Sequence, residues 1–530
     1  MKHKMSKLLS VLLCCVMLLS LMPVTAAAVD AGPDWTVSGS KTATNLDSNF
    51  ESQVTLSLPS AEEPLVTDVV FVLDKSTSPH LEDEALKMLS DLKTQVGKSN
   101  AKVKVGVVIF NKLANNVLDL TDLNTGYDAI KAAIKTEISS GTNTHAGLLA
   151  GKKMLDEDTS VDPSRKYLIF VSDGITYMYD EDAKIVPYYW MNDNSPYYSA
   201  DPNSWKFKYG NNNEPGNWES LLQQIGITLN SETIIPILYD KKNTLTPDNA
   251  TSAEAMEMEE YTTSVDRALY YTYITYAAAQ QAGYHCFAMT ATKSASTYPW
   301  GPSFMNYLAD DEPVSFEAIK KDILYYVGPG STVTDVMGYV EGDYNFDFVA
   351  DAAKLTMTVG GVKLTTQKID ENKYVFGESD NQGKYPYVLT YSPANDGTEK
   401  FEWTMNVPVT IAQPVTLTYS VKLMNPKTAA GTYGQYDRDG SQGYSSGLYT
   451  NNSAVLNPID SSGSEGSTYT FPKPTVSYTV ASSRPTTKPS TTKPISSPKT
   501  FDAGIALYAG MALLSLTGGA WVVNKKRNGK

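Results

Sequence analysis

Cysteine is scarce in this chain of 530 residues. There are three, and two of them, Cys14 and Cys15, lie in an apolar N-terminal stretch. The remainder therefore has only Cys286 and cannot form an internal disulfide. Because disulfides commonly stabilise exported proteins, an exported chain of this composition must be stabilised in another way.

Basic residues are few relative to acidic ones. The chain has 44 Lys and Arg against 58 Asp and Glu, a formal net charge of -14. A nucleic-acid-binding protein needs a basic face that releases counterions from phosphates, so this composition argues against nucleic acid as a partner. An acidic surface is typical of a secreted, soluble body.

Catalytic motifs are also lacking. Only three histidines, His80, His145 and His285, lie beyond the N-terminal stretch, and there is no nucleophile elbow, phosphate-binding loop or zinc motif. We therefore expect no enzyme. A metal-dependent hydrolase of wall or carbohydrate is the weakest alternative, with His80 and His145 as the histidines to test.

The N-terminus has the pattern of a secretory signal peptide over residues 1–28. Lysines precede an uncharged apolar stretch at 8–21, and alanines suited to a signal peptidase follow at 26–28. This pattern predicts export.

The most informative stretch of the chain is residues 68–78. Five apolar residues at 69–73 predict a strand buried on both faces, as in a parallel sheet. Asp74, Ser76 and Ser78 follow at the strand end where open α/β sheets place their ligand sites. Their oxygens suit Mg²⁺ or Mn²⁺, with Ca²⁺ as an alternative, and do not suit zinc or copper.

Two further motifs follow residues 68–78 along the chain and offer additional oxygen ligands. Residues 141–147 open a predicted helix and offer Thr142 as a ligand, and a second buried strand at 167–171 leads to Asp173-Gly174. Strand-Asp-x-Ser-x-Ser, then Thr, then strand-Asp-Gly resembles the von Willebrand factor type A domain. The resemblance implies a metal-ion-dependent adhesion site formed by Asp74, Ser76, Ser78, Thr142 and Asp173.

Strands and helices alternate over residues 66–327, which predicts a doubly wound, Rossmann-like α/β domain of this type. Short alternating strands occur on both sides of it, at 30–65 and 331–480. They predict an all-β sandwich in which the α/β domain is inserted or which follows it. The resemblance of the whole arrangement to pilus tip adhesins, given below, implies that this sandwich is similar to a collagen-adhesin domain.

An insertion at about 176–260 is rich in tyrosine and tryptophan. Long loops of this kind are usually functional, and aromatic side chains give large contact area at low entropy cost. We expect either a ligand-recognising arm beside the metal or a small subdomain with its own aromatic core. The recognition candidates are Tyr188, Tyr189, Trp190 and Trp205.

The C-terminal part has the composition of a linker followed by a membrane span. Residues 481–499 are mainly Ser, Thr, Pro and Lys. The uncharged run at 503–523 is long enough to cross a bilayer, and the basic residues after it are expected to remain cytoplasmic.

Residues 497–530 resemble the cell-wall sorting signal of Gram-positive bacteria. The resemblance implies cleavage by sortase after Thr500 and attachment to peptidoglycan on the outer surface. Ser497 and Phe501 depart from the usual Leu-Pro-x-Thr-Gly pattern. A permanent membrane anchor is therefore the alternative.

The whole arrangement resembles the tip adhesins of Gram-positive pili, whose β domains are closed by a spontaneous Lys–Asn isopeptide bond. The resemblance implies Lys41 as nucleophile, Asp335 as acid and Asn451 as acceptor, with Asn452 as the alternative acceptor. A buried lysine shifts toward its neutral form, and a protonated acid beside it can polarise an amide. Such a bond would replace the missing disulfides.

Adhesion is the leading functional hypothesis. The cation would accept a carboxylate from a protein on a host or neighbouring cell. The main alternative is a structural pilus or wall component whose metal only stabilises the fold.

Overall fold

The computed structural model describes residues 37–75, 81–138, 141–176, 178–181, 214–231, 264–291, 298–311, 314–460 and 463–482. The chain divides into a compact unit ending at Val480 and a second unit from Ala481. The signal peptide, the sorting signal with Thr500 and the apolar run at 503–523 lie outside the described residues. Among the helices that are described, none is long and apolar enough to cross a membrane.

Two strands open the described chain, and a sheet flanked by helices follows. The first two strands are β1 (Ser40–Ala43) and β2 (Glu51–Leu58). The strands of the next sheet are β3 (Val66–Asp74), β4 (Lys102–Phe110), β5 (Ala114–Asp122), β6 (Lys166–Ser172) and β7 (His285–Thr290). The helices of this part are α1 (Glu82–Val96), α2 (Leu123–Ile134), α3 (Thr144–Glu157), α4 (Trp218–Ser231), α5 (Ser264–Gln281), α6 (Trp300–Leu308) and α7 (Phe316–Leu324).

The five strands lie in the order β5-β4-β3-β6-β7. All neighbours are parallel except β5, which runs antiparallel to β4 at the edge. Strand β3 is central, and its apolar run alternates between two cores. Val69 and Phe71 pack with α1, α2 and α7, whereas Val70 and Val72 pack with α3, α5 and α6. The predicted doubly wound α/β fold is confirmed.

The rest of the chain is rich in strands. These are β8 (Tyr325–Val327), β9 (Thr332–Met337), β10 (Tyr339–Val340), β11 (Tyr344–Phe348), β12 (Thr356–Val359), β13 (Val362–Lys363), β14 (Thr366–Asp370), β15 (Lys373–Phe376), β16 (Tyr387–Ser392), β17 (Lys400–Met405), β18 (Val409–Thr410), β19 (Val415–Leu423), β20 (Gly431–Asp437), β21 (Leu448–Tyr449), β22 (Asn451–Asn457), β23 (Tyr469–Thr470) and β24 (Thr475–Val480).

Two seven-stranded sheets form the body of this region. One has the order β1-β2-β19-β11-β10, with β12 and β13 attached through β19, and the other has the order β14-β15-β16-β17-β9-β22-β23. Strands β1 and β2 join through β19, where Leu58 pairs with Val415. The sheets face each other, since the rings of Phe401 and Tyr419 lie 4.9 Å apart between centroids. The chain thus leaves the sandwich after β2 and returns to it after α7.

A buried carboxyl in the sandwich predicts a pH dependence of stability. Glu399 accepts hydrogen bonds from the Phe348 backbone N–H at 2.7 Å and the Tyr391 hydroxyl at 2.8 Å. Burial raises its pKa to about 7. The pKa of Glu399 is therefore higher in the folded than in the unfolded protein. The stability that the protonated carboxyl contributes is fully present below the unfolded pKa and is lost as the pH rises through about 7.

We expect Glu399→Gln to flatten the fall in melting temperature between about pH 5 and pH 8, since the amide stays neutral throughout. Thermal denaturation over this range measures the effect. Glu402→Gln is the control, because Glu402 lies three residues further along, on β17, and is exposed. An unchanged pH profile for Glu399→Gln would contradict the assignment.

Candidate functional site

Asp74 occupies the end of β3 and is buried. Strand β6 lies beside β3 in parallel register, with Leu73 opposite Val171, so Ser172 arrives next to Asp74. The Ser172 hydroxyl donates to Oδ2 of Asp74 at 2.7 Å and accepts from the Gly174 N–H at 3.0 Å. These contacts tie the Asp74 carboxylate to the turn that follows β6.

Asp173 stands in that turn and is half-buried. Its Oδ1 accepts from the Ile175 N–H at 3.0 Å. Burial and the negative charge of Asp74 raise the pKa of Asp173 to about 7. Gly174 has a φ of +77°, and a Cβ there would meet the Gly301 carbonyl oxygen at 2.1 Å, so the turn requires glycine.

Thr142 lies two residues before the first residue of helix α3 and is buried. The next residue, Asn143, caps the helix by accepting from the Ala146 N–H at 3.0 Å. Its amide also donates to the carbonyls of Lys112 at 3.0 Å and Asp180 at 2.9 Å. The turn carrying Thr142 is therefore fixed to the end of β4 and to the segment after Asp173.

The structure brings some of the predicted ligands together. Asp74 and Asp173 interact electrostatically across neighbouring strand ends, and the Thr142 carbonyl accepts from the Met178 N–H at 3.2 Å. Ser76 and Ser78 lie outside the described residues, as do the recognition candidates Tyr188, Tyr189, Trp190 and Trp205 and the histidine His80.

The donor chemistry fits a divalent cation that prefers oxygen. Within the described residues no group of three or more His, Cys, Asp or Glu side chains forms a metal cluster. A cation here would therefore rest on the carboxylates of Asp74 and Asp173 and on hydroxyls. Two carboxylates plus hydroxyl groups suit Mg²⁺ or Mn²⁺ better than softer metals.

His145 is a packed neighbour of this site. Its Nδ1 accepts from the Asp180 N–H at 2.8 Å, and its ring stacks on Tyr271 with 5.2 Å between centroids. Burial lowers its pKa to about 4, so the ring is neutral at physiological pH. Tyr271 also stacks on Tyr179. Sequence reasoning missed this aromatic cluster, because only the fold brings α3, α5 and residue 179 together.

A second cluster lies between the two sheets of the sandwich. Lys41 on β1 is fully buried, and its Nζ lies 2.6 Å from Oδ2 of Asp335 on β9. The Tyr419 hydroxyl donates to the same Oδ2 at 2.5 Å. Burial lowers the pKa of Lys41 and raises that of Asp335, which favours the neutral amine and the protonated acid.

Asn451 lies on β22, next to the strand that carries Asp335, and is fully buried. Neither its Oδ1 nor its Nδ2 has a hydrogen-bond partner among the described residues, and Oδ1 of Asp335 has none either. Asn452 differs, since its side chain accepts from the Tyr339 N–H at 3.2 Å and donates to the Tyr339 carbonyl at 3.1 Å. Of the two neighbouring amides, Asn451 is therefore the one without hydrogen-bond partners in the described residues.

Comparison with known proteins gives a family match for part of the chain. Residues 68–186 match the model of the von Willebrand factor type A domain. Domains of this family are generally non-catalytic, which agrees with the expectation that the chain is not an enzyme. No curated protein matches the chain.

Several solved structures are similar to this chain. The pilus adhesin SpaC from Lactobacillus rhamnosus GG, in an open conformation, is 14% identical over 82% of this chain and 47% of that chain, with a TM-score of 0.31. The pilus adhesin RrgA from Streptococcus pneumoniae is 13% identical over 83% and 65%, with a TM-score of 0.30. The adhesive tip pilin GBS104 from Group B Streptococcus agalactiae is 12% identical over 84% and 93%, with a TM-score of 0.31.

The chain spans about half the length of the SpaC chain. The family match covers β3, where Asp74 lies, and continues past Thr142 and Asp173. Residues 68–186 therefore belong to a von Willebrand factor type A domain.

Proposed function

We propose that this chain is a cell-surface adhesin that binds a carboxylate of a protein ligand through a divalent cation. The cation is Mg²⁺ or Mn²⁺, with Ca²⁺ as an alternative, and its proposed ligands are Asp74, Ser76, Ser78, Thr142 and Asp173. The observation that carries this proposal is the pairing of Asp74 with Asp173. Burial, together with the negative charge of Asp74, raises the pKa of Asp173, and a positive charge between the two carboxylates would offset both effects.

The protein's own residues prepare the donor set. Ser172 holds one oxygen of Asp74, and Asn143 fixes the turn of Thr142 against two neighbouring segments. Because strand and helix ends provide these contacts, Asp74 and the turn of Thr142 would be held in place before any ligand arrives. A bound cation would supply positive charge and an open coordination position for a ligand carboxylate.

The proposal includes the surface location. The signal peptide at 1–28 would direct export, and the segment at 497–530 would anchor the protein, with sortase joining Thr500 to peptidoglycan. A type A domain at 66–327, with its insertion at about 176–260, would then be presented by a β-sandwich built from 30–65 and 331–480. A linker at 481–499 would hold both away from the surface.

We further propose that the sandwich is closed by an isopeptide bond from Lys41 to Asn451, with Asp335 as the acid. The support is the buried contact of Lys41 with Asp335, together with an amide on the adjacent strand whose polar atoms have no partners in the described structure. An unpartnered buried amide is unfavourable, so a reaction that consumes it is a physical reason for its presence.

The adhesion proposal predicts cation-dependent attachment to cells. Beads coated with the chain, incubated with cultured epithelial cells, are expected to adhere in Mg²⁺, detach in EDTA and adhere again when Mg²⁺ is restored. Protease treatment of the cells should abolish attachment, because the proposed ligand is a protein. Counting attached beads measures the effect.

Beads carrying the Asp74→Asn variant should not attach, and beads carrying Asp119→Asn should attach as the wild type does, since Asp119 is exposed on the edge strand β5. Attachment that is indifferent to EDTA would contradict the proposal.

A further inference from the structure

We infer that Tyr419 is a positioning residue for the isopeptide bond. Its hydroxyl donates a hydrogen bond to Oδ2 of Asp335, and the acid proton is therefore directed to Oδ1. This inference rests on the bond proposed above. It adds a residue from β19, on the sheet opposite Asp335, that no sequence motif identifies.

The contacts of the two carboxyl oxygens are unequal. Oδ2 of Asp335 receives both the Tyr419 hydroxyl at 2.5 Å and the Lys41 amine at 2.6 Å. Oδ1 is buried and has no hydrogen-bond partner in the described structure. An oxygen that already accepts two hydrogen bonds is a poor place for a proton, so the protonated acid presents its O–H on Oδ1.

The side-chain amide of Asn451 lacks the hydrogen-bond donor that a proton on Oδ1 of Asp335 would provide. Asn451 is buried, and neither polar atom of its side chain finds a partner among the described residues. Asn451 on β22 pairs with Met337, two residues from Asp335 along β9, whereas the cross-strand partners of Asp335 itself, Phe401 and Ala454, are apolar. An O–H on Oδ1 is the donor that the Asn451 carbonyl lacks.

This arrangement gives each atom of the reaction a role. The neutral Lys41 amine donates one N–H to Oδ2 and keeps its lone pair for attack on Cγ of Asn451. A new bond joins Nζ to Cγ, and the bond from Cγ to Nδ2 breaks. One proton leaves Nζ for Oδ2, and the proton on Oδ1 passes to the departing nitrogen, so that ammonia is released and Asp335 is restored as the acid.

The ring of Tyr419 has a separate structural role. It lies 4.9 Å from Phe401 and 5.8 Å from Phe348 between centroids, in the core between the sheets. Tyr419→Phe removes only the hydroxyl and keeps this packing. Tyr374→Phe is the matched control, because Tyr374 is equally buried and its hydroxyl donates at 2.6 Å to the Ala350 carbonyl, away from Asp335.

The test follows bond formation in the full chain made by cell-free translation. Samples taken over time are digested with trypsin, and the linked peptide containing positions 41 and 451 is quantified by mass spectrometry. We expect the link to form at least about tenfold more slowly in Tyr419→Phe than in the wild type or in Tyr374→Phe.

The pH profile separates positioning from packing. The titratable groups that face Asp335 are Lys41 from β1 and Tyr419 from β19. The Tyr419 hydrogen bond lowers the pKa of Asp335, so its removal should move the alkaline fall of the linking rate to higher pH. If Tyr419 only packed in the core, the linking rate would fall at the same alkaline pH in the variant as in the wild type.

The outcomes are distinguishable. No linked peptide in the wild type would overturn the isopeptide bond itself. A linked wild type with an equally fast Tyr419→Phe variant would overturn only the role of Tyr419. Melting temperatures of Lys41→Met and Lys41→Met/Tyr419→Phe, both without the link, should agree to within a few degrees. A large difference between these two melting temperatures, together with an alkaline fall of the linking rate at an unchanged pH, would also overturn the positioning role.

Discussion

Lys41→Met is expected to have the full mass calculated from its sequence, whereas the wild type should be lighter than its calculated mass by one ammonia. The variant should also melt at a much lower temperature. The variant keeps the aliphatic stem of Lys41 but lacks the amine that attacks Asn451. The lost bond closes a loop of about 410 residues between positions 41 and 451. In the chain-entropy model a cross-link over such a loop contributes about 6 kcal/mol. Intact mass and thermal denaturation measure both effects.

Two neighbouring asparagines provide the matched comparison. Asn451→Ala should behave as Lys41→Met does, because the acceptor amide is gone. Asn452→Ala should keep the link and lose only the hydrogen bonds to Tyr339, a change of about 1 kcal/mol. A wild-type mass with no loss of ammonia, or a link that survives Asn451→Ala, would refute the assigned bond.

Asp173→Asn is expected to change stability in opposite directions with and without Mg²⁺. Without the cation the variant should melt a few degrees higher, since it removes a half-buried charge that Asp74 repels. With Mg²⁺ the wild type should gain stability and the variant should gain almost none. Its affinity for Mg²⁺ should fall at least about 100-fold, because one of two carboxylate ligands is lost. Thermal denaturation at increasing Mg²⁺ measures both effects.

Asp119→Asn serves as the control for a change of charge on the same sheet. Because Asp119 is exposed on β5, its substitution should leave both the melting temperature and the Mg²⁺ response unchanged. If Asp173→Asn kept the full Mg²⁺ response, Asp173 would not be a ligand.

The parts of the fold that depend on local patterns could be predicted. The apolar runs of β3 and β6 identify strands buried on both faces, and Asp74 and Asp173 follow directly from where these runs end. The edge strand β5 cannot be predicted in this way, because its side chains are partly or fully exposed and it has no continuous apolar run. Its antiparallel pairing with β4 depends on the tertiary fold.

Contacts between distant strands could not be predicted from local pattern. Lys41 and Asp335 are 294 positions apart, and only a family resemblance connected them. The choice between Asn451 and Asn452 depends on the register of β22 against β9, which includes an irregularity between Asn451 and Ser453. Alternation places Tyr419 on the inner face of β19, but its contact with Asp335 appears only when the sheets are packed together.

Calorimetric titration of Mg²⁺ into the wild-type protein and into Asp74→Asn tests the central claim most directly. The account predicts one binding site in the wild type and at least about 100-fold weaker binding in the variant, whose fold is checked by circular dichroism. Equal binding by the two proteins, or no binding by the folded wild type, would contradict a cation-dependent adhesion site at the end of β3.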